Sequence, residues 1–189
     1  KITDFSNYEY LDHKMIDALD TKFDNEAFDF IVSSNMIHHV PYPMRFFKEM
    51  NRILKPGGRL IIQEINCSFF MKYLLRIMRH EGFDFTVNVF DQNLICTDPN
   101  DLWSANCAIP NLLFDDQKRF HSEISNFKII KYTHSEFFSF VNSGGVISKT
   151  FYIPLPVVFL KVLTKIDNIL SHYFPNIFSL QRQIVLKKI

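Results

Sequence analysis

The sequence predicts an α/β domain in three layers, a mostly parallel sheet that ends in an antiparallel C-terminal strand and is covered by helices. Two observations carry that expectation. Apolar run, amphipathic stretch and second apolar run succeed one another at Phe28–Ser34, Arg45–Leu54 and Arg59–Glu64, the order of one βαβ unit. Composition agrees with a folded chain: 47% hydrophobic and 22% charged residues over 189 positions suffice for one domain with its own core.

The elements follow in order. Lys1–Ser6 reads as the end of a strand and His13–Asp17 as a short edge strand. Phe28-Asp29-Phe30-Ile31-Val32 is nearly continuously apolar and stops at Ser33-Ser34, the pattern of a strand buried on both faces. Phe46, Phe47, Met50, Ile53 and Leu54 then share one helical face, with Lys48, Glu49 and Arg52 on the other. Pro43 precedes this helix and Lys55-Pro56-Gly57-Gly58 ends it. Arg59–Glu64 is a second buried strand, reached by a right-handed crossover. Beyond it, Phe69–Arg79 is predicted helical, and residues 82–112, broken by Asn, Asp and Pro, form a lid or substrate-facing insertion. Asp115–Ile124 reads as a helix and Phe127–Thr133 as a strand. Val157–Tyr173 is a long amphipathic helix, expected to pack on the sheet because only Lys161 and Lys165 would anchor it to a membrane surface. Gln183–Lys188 closes as the last strand. One domain is expected, divided into a core at 1–66, a lid at 67–126 and a C-terminal sheet and helix at 127–189.

Several classes of function are disfavoured at once. A net charge of +1 without a basic run argues against a nucleic-acid surface. Cys67, Cys96 and Cys107 form no CxxC pair, which points to free thiols in the cytoplasm and to no zinc site. No transmembrane segment is predicted, since no apolar stretch approaches about eighteen residues, and Lys1-Ile2-Thr3-Asp4 does not open a signal peptide. The 21 Phe residues are spread along the chain, as core packing would have them. Oligomeric state leaves no trace in the sequence.

Three stretches taken together resemble a known family: Phe23-Asp24-Asn25-Glu26-Ala27-Phe28-Asp29-Phe30-Ile31-Val32, then Ile37-His38-His39-Val40-Pro41, then Arg52-Ile53-Leu54-Lys55-Pro56-Gly57-Gly58-Arg59-Leu60. In that order and spacing they look like the type 11 methyltransferase domain of the class I S-adenosylmethionine-dependent methyltransferases, and the likeness covers residues 1 to 66. The resemblance implies a Rossmann-like, doubly wound sheet, S-adenosyl-L-methionine as cofactor and a small-molecule acceptor, a sugar or metabolite methylated on O, N or C. It also implies a glycine-rich loop after a first strand. The five glycines, Gly57, Gly58, Gly82, Gly144 and Gly145, supply none, so a truncation upstream of Lys1 is expected. A catalytically silent fragment acting as a binding module is the alternative.

The same resemblance assigns candidate residues. Asp4 falls where an acidic side chain accepts from both ribose hydroxyls, though a surface-loop aspartate would look the same. Asp17-Ala18 matches the adenine-reading position, or else a turn. Ser33, Ser34 and Asn35, at the carboxyl end of the first buried strand, would line the methionine side, and Glu64 ends the next strand on the same side. His38 and His39 are adjacent on a helical turn, with side chains directed about 100° apart, which makes a poor metal pair. His39 is the candidate base for a hydroxyl or amine acceptor, because an imidazole titrates in the right range. His80, Glu81, Trp103 and Asn106 belong to the lid.

Overall fold

Phe28–Ser34 forms strand β1, and the chain passes through a 3-10 turn at Ile37–His39 and helix α1 (Pro43–Ile53) to strand β2 (Leu54–Ile65). The two strands pair in parallel, so the βαβ unit read from the sequence is present. The computed structural model describes residues 9, 12–79, 81–101, 103–142 and 152–189; Asp4 and the Lys1–Ser6 strand lie outside them. His13–Asp17, expected as an edge strand, forms no regular strand.

Between α1 and the regular part of β2 the chain loops outward. Phe28 pairs with Leu54 but Phe30 with Arg59, so Lys55-Pro56-Gly57-Gly58 bulges from the ladder. Gly57 takes φ +75°, and a Cβ on Gly58 would stand 2.8 Å from the Lys55 carbonyl oxygen and 3.1 Å from that of Asp29. Both are backbone obstacles, which is why two glycines occur together there.

Downstream come α2 (Phe69–Met78), α3 (Ile109–Phe114), α4 (Gln117–Glu123), β3 (Phe127–Ser135), α5 (Phe138–Asn142), α6 (Val157–Tyr173), α7 (Pro175–Phe178) and β4 (Gln181–Lys188). The sheet order is β1-β2-β4-β3, with β4 antiparallel to both of its neighbours. Strands β1, β2 and β3 therefore run the same way and the C-terminal strand alone is reversed, the mixed α/β sheet that the sequence predicts.

One face of this sheet carries the main core. Leu60 and Ile62 of β2 and Ile184 and Leu186 of β4 meet Phe46, Phe47, Met50 and Ile53 of α1. Phe47 sits at the centre, its ring edge-on to those of Phe46, Phe114, Phe120 and Phe127 at centroid distances of 5.3 to 6.3 Å. A smaller cluster joins Ile65, Met71, Leu75, Phe140 and Leu180 beyond the strand ends. The opposite face of β1 is open: Phe30 is 59% exposed and Val32 69%. β1 is the outer strand of the described sheet, so the expectation of burial on both faces is met on one only.

Two polar networks pin the layers. Glu49 Oε1 accepts from the Thr21 amide at 2.8 Å and the Thr21 hydroxyl at 2.6 Å, while Arg52 bonds both Glu49 oxygens and the Phe23 carbonyl. Burial resists charge on Glu49, yet the hydrogen bonds from Arg52 and Thr21 bring its pKa down to about 2. Arg182, fully buried in β4, donates to the Pro110 carbonyl, Asp115, the Tyr132 hydroxyl and Asn66. It fastens α3 and β3 to the centre of the sheet.

Helix α6 lies against β3 of the sheet as expected, but not by its apolar stripe. Its buried residues are Asp167 and Ser171, while Val158, Phe159, Val162 and Ile169 are exposed. Asp167 accepts from the amides of Phe138 and Ser139, both at 2.9 Å, at the start of α5. Those amides are free donors of a helix N-terminus, and a buried carboxylate that satisfies them holds α6 by its polar stripe rather than its apolar one.

Candidate active site

At the carboxyl end of β1 the chain reverses through Asn35, whose φ of 47° is tolerated by asparagine better than by most side chains. The Asn35 amide donates to the Gln63 carbonyl at 2.8 Å, and its side-chain oxygen accepts from Gln181 at 3.2 Å. The 3-10 turn that follows is organised by Glu64, which lies one residue before the carboxyl end of β2 on the same side. One Glu64 oxygen accepts from the amides of Met36 and Ile37, and the other from His38 Nδ1 at 2.6 Å. The Ile65 amide adds a fourth donor at 3.3 Å, so in this fully buried position four protein donors stand in for water around the carboxylate.

Residues 96–106 are held to this turn and to Pro41 just beyond it by bonds to backbone carbonyls. Asn106 donates its amide to the His38 carbonyl at 2.8 Å, the Thr97 hydroxyl to the His39 carbonyl at 2.9 Å, and Cys96 its amide to the Pro41 carbonyl at 2.9 Å. Asn106 also anchors the lid internally, since its side-chain oxygen accepts from the amides of Asp84 and Ala108. Trp103, in the same segment, is 71% exposed.

His38 and His39 present an arrangement that their adjacency in sequence does not suggest. Their ring centroids lie 4.2 Å apart with planes 41° from parallel. His38 Nδ1 is held by Glu64 and His39 Nδ1 by the Ser104 carbonyl at 3.0 Å, so both Nε2 atoms are left to face Glu81. His38 Nε2 stands 3.8 Å from one Glu81 oxygen and His39 Nε2 4.0 Å from the other. That first oxygen also accepts from the Cys107 thiol at 3.2 Å.

The electrostatics separate the two rings. Burial disfavours the charged form of His38, but the charge and hydrogen bond of Glu64, with the charge of Glu81, raise its pKa overall. His39 moves the other way, lowered by burial first and by the neighbouring His38 second. Burial, with the charge and hydrogen bond of Glu81, pushes the Cys107 thiol far up, so it remains a donor.

Of the residues singled out in the sequence, Ser33, Ser34, Asn35, His38, His39 and Glu64 converge at the ends of β1 and β2. Ser33 Oγ is buried with no partner among the described residues, as is Oε1 of Gln181 beside Asn35. Asp17 is exposed and spends one carboxylate oxygen on the Leu19 amide at 2.8 Å, a local turn, while Ala18 packs against the main core. The convergence of Glu81 and Cys107 on the histidines is not foreseeable from sequence, because residues 81 and 107 are brought there only by the lid's path. A cleft of about 790 Å³ lined by Arg45, Arg52, Gln92 and Asn126 opens at the other end of the strands. Open α/β sheets bind ligands beyond their strand carboxyl ends, so the Ser33–His39 end is the candidate site.

Comparison with known proteins finds matches over part of the chain. Residues 4–62 match the family model described as a methyltransferase domain. Tocopherol O-methyltransferase of Arabidopsis thaliana is 36% identical over 66 residues, 33% of this chain and 19% of that protein. Demethylmenaquinone methyltransferase of Clavibacter sepedonicus is 40% identical over 50 residues, 26% of this chain and 20% of that protein. Ubiquinone biosynthesis O-methyltransferase of Coxiella burnetii is 38% identical over 58 residues, 31% of this chain and 24% of that protein. The matched stretch thus spans less than a quarter of the length of these relatives. A solved S-adenosylmethionine-dependent methyltransferase from Archaeoglobus fulgidus superimposes with TM-score 0.47 at 16% identity, over 91% of this chain and 65% of that one.

Proposed function

We propose that this chain, whose residues 4–62 match the methyltransferase-domain family model, is a class I S-adenosylmethionine-dependent enzyme that transfers a methyl group to a small-molecule acceptor. What supports the reading above all is the coincidence of that matched segment with a βαβ unit whose carboxyl end keeps unspent polar atoms. A buried polar atom without a partner costs about 1–3 kcal/mol, and a ligand that pairs it recovers that cost. Ser33 Oγ and Gln181 Oε1 are such atoms, so the residues present fit the polar end of a bound cofactor.

In this reading Ser33, Ser34 and Asn35 hold the methionine side, Asp17 with Ala18 reads the adenine, and Asp4 takes the ribose hydroxyls. S-adenosylmethionine supplies a sulfonium-activated methyl group, so the protein's tasks are alignment and exclusion of water. His39 faces the acceptor. Its Nδ1 is committed to Ser104, which leaves Nε2 as the atom able to take a proton from a hydroxyl or amine. Residues 67–126 serve as the acceptor-facing lid, held to the 3-10 turn by Cys96, Thr97 and Asn106. Two of the matched relatives are by name O-methyltransferases, which puts hydroxyl acceptors first in any assay. Among the described residues no helix is long and apolar enough to cross a membrane.

Calorimetric titration with S-adenosylhomocysteine tests the proposal directly. One saturable site is expected, weakened by about 1–3 kcal/mol in Asp4→Ala, as for the loss of a charged hydrogen-bonding partner. Methyl transfer from labelled S-adenosylmethionine to a panel of hydroxyl, amine and carbon acceptors then reads the reaction. No binding and no transfer would leave the binding-module alternative as the better account.

A further inference from the structure

We propose that His38, His39 and Glu81 form a binding site for one divalent first-row transition-metal ion, with Zn²⁺ as the reference case. The inference stands on these side chains alone and not on methyl transfer; an ion bound there would occupy His39 Nε2, so the base role proposed above belongs to the ion-free chain. Among the described residues these three bring ligand atoms within 4.8 Å of one another. Two imidazole nitrogens and a carboxylate are a donor set suited to Zn²⁺ and its neighbours.

The arrangement around the three ligands carries the argument further than their proximity. An imidazole that binds a metal through Nε2 almost always donates Nδ1–H to a carboxylate or carbonyl, which fixes tautomer and ring orientation. Both rings do so here: His38 Nδ1 meets Glu64 at 2.6 Å and His39 Nδ1 meets the Ser104 carbonyl at 3.0 Å. Glu81 has its own outer partner in the Cys107 thiol at 3.2 Å. With each Nδ1 occupied as a donor, Nε2 is the atom each ring has left for an ion, and the two stand 3.8 and 4.0 Å from the Glu81 oxygens. Atoms bound tetrahedrally to Zn²⁺ at about 2.0–2.1 Å stand roughly 3.3 Å apart, so ligand atoms that now lie within 4.8 Å of one another need side-chain movements of up to about 1.5 Å to close on an ion.

Access is also provided. His38 is buried, but the side chain of His39 is 25% exposed and that of Glu81 12%, so an ion can enter from the lid side and retain water or a ligand at its remaining positions. The ligands come from the 3-10 turn and from the lid, so a bound ion would tie the lid to the sheet.

The untagged chain, stripped with chelator, should be titrated with Co²⁺ while visible d–d absorption is followed, then with Zn²⁺ by calorimetry. Saturation at one ion per chain is expected, with Zn²⁺ displacing Co²⁺. Glu81→Gln and His39→Ala, both at partly exposed positions, should each weaken binding by at least about tenfold, with circular dichroism unchanged. Absence of saturable binding in the wild-type chain overturns the proposal. So does affinity unchanged in either variant, which would assign the ion to other groups such as Cys67 or Cys96.

Discussion

Replacing Glu64 by glutamine tests the central geometric claim, that one buried carboxylate shapes the turn carrying both histidines. Glu64 takes the amides of Met36 and Ile37 on one oxygen and His38 Nδ1 on the other. Glutamine offers a single acceptor oxygen. Turned toward the two amides, it places its NH₂ against His38 Nδ1 and forces that ring into the other tautomer. Hydrogen bonds to a charged group contribute about 1.5–3 kcal/mol and neutral ones about 0.5–1.5, so two amide bonds that lose their charge cost about 2 kcal/mol together. Glu64→Leu removes every acceptor and strips that bond from four donors, the Met36, Ile37 and Ile65 amides and His38 Nδ1, each worth about 1–3 kcal/mol, for a loss above about 3 kcal/mol. Urea denaturation followed by circular dichroism measures both. For a chain of this size, each kcal/mol lowers Tm by about 2–4 °C, so Glu64→Gln should melt about 4–8 °C lower and Glu64→Leu lower still. A glutamine variant as stable as wild type, or a leucine variant no worse than glutamine, would refute the claim that the carboxylate holds this turn.

Two other perturbations follow from the fold. Phe47→Ala empties the centre of the aromatic cluster formed with Phe46, Phe114, Phe120 and Phe127, and should cost about 3–5 kcal/mol in chemical denaturation. A loss below about 1 kcal/mol would mean that these rings do not close one core. Glu49 carries a pH prediction: its folded pKa is about 2, below the usual 4.5. A depressed carboxyl contributes stability above its unfolded pKa and loses it as pH falls toward the folded value. The wild type should therefore lose stability between about pH 4.5 and 2 more steeply than Glu49→Gln, and parallel acid limbs for the two proteins would contradict the Thr21–Glu49–Arg52 network.

Much of the fold is legible in the sequence because it rests on local, repetitive signals. The run at Phe28–Ser34, the Phe46–Ile53 stripe and the Pro56-Gly57-Gly58 break each encode one element, and their order encodes the parallel pair. Helix α6 shows where such signals stop. Its apolar spacing is real, but spacing gives no direction, and the direction was set by Asp167, whose partners Phe138 and Ser139 lie 29 and 28 residues away. Arg182 is likewise unreadable as a buried residue, since its acceptors Asn66, Pro110, Asp115 and Tyr132 are scattered through the chain. A buried charge is specified by a set of partners, and that set exists only after folding.

The adjacent histidines make the same point at the candidate site. Their Cβ vectors diverge, and an argument from backbone directions alone separates the rings. Imidazoles, however, act at their tips. Glu64 draws Nδ1 of His38 toward β2, and the Ser104 carbonyl draws Nδ1 of His39 toward the lid. Anchored at these inner nitrogens, the two rings come to lie 4.2 Å apart, and both outer nitrogens face Glu81. Convergence is therefore a property of the anchors rather than of the turn. It follows that removing either anchor should disperse the Nε2 pair without touching it, and Glu64→Gln, which reverses the demand on one Nδ1, should weaken any ion held there even though Glu64 itself contributes no ligand.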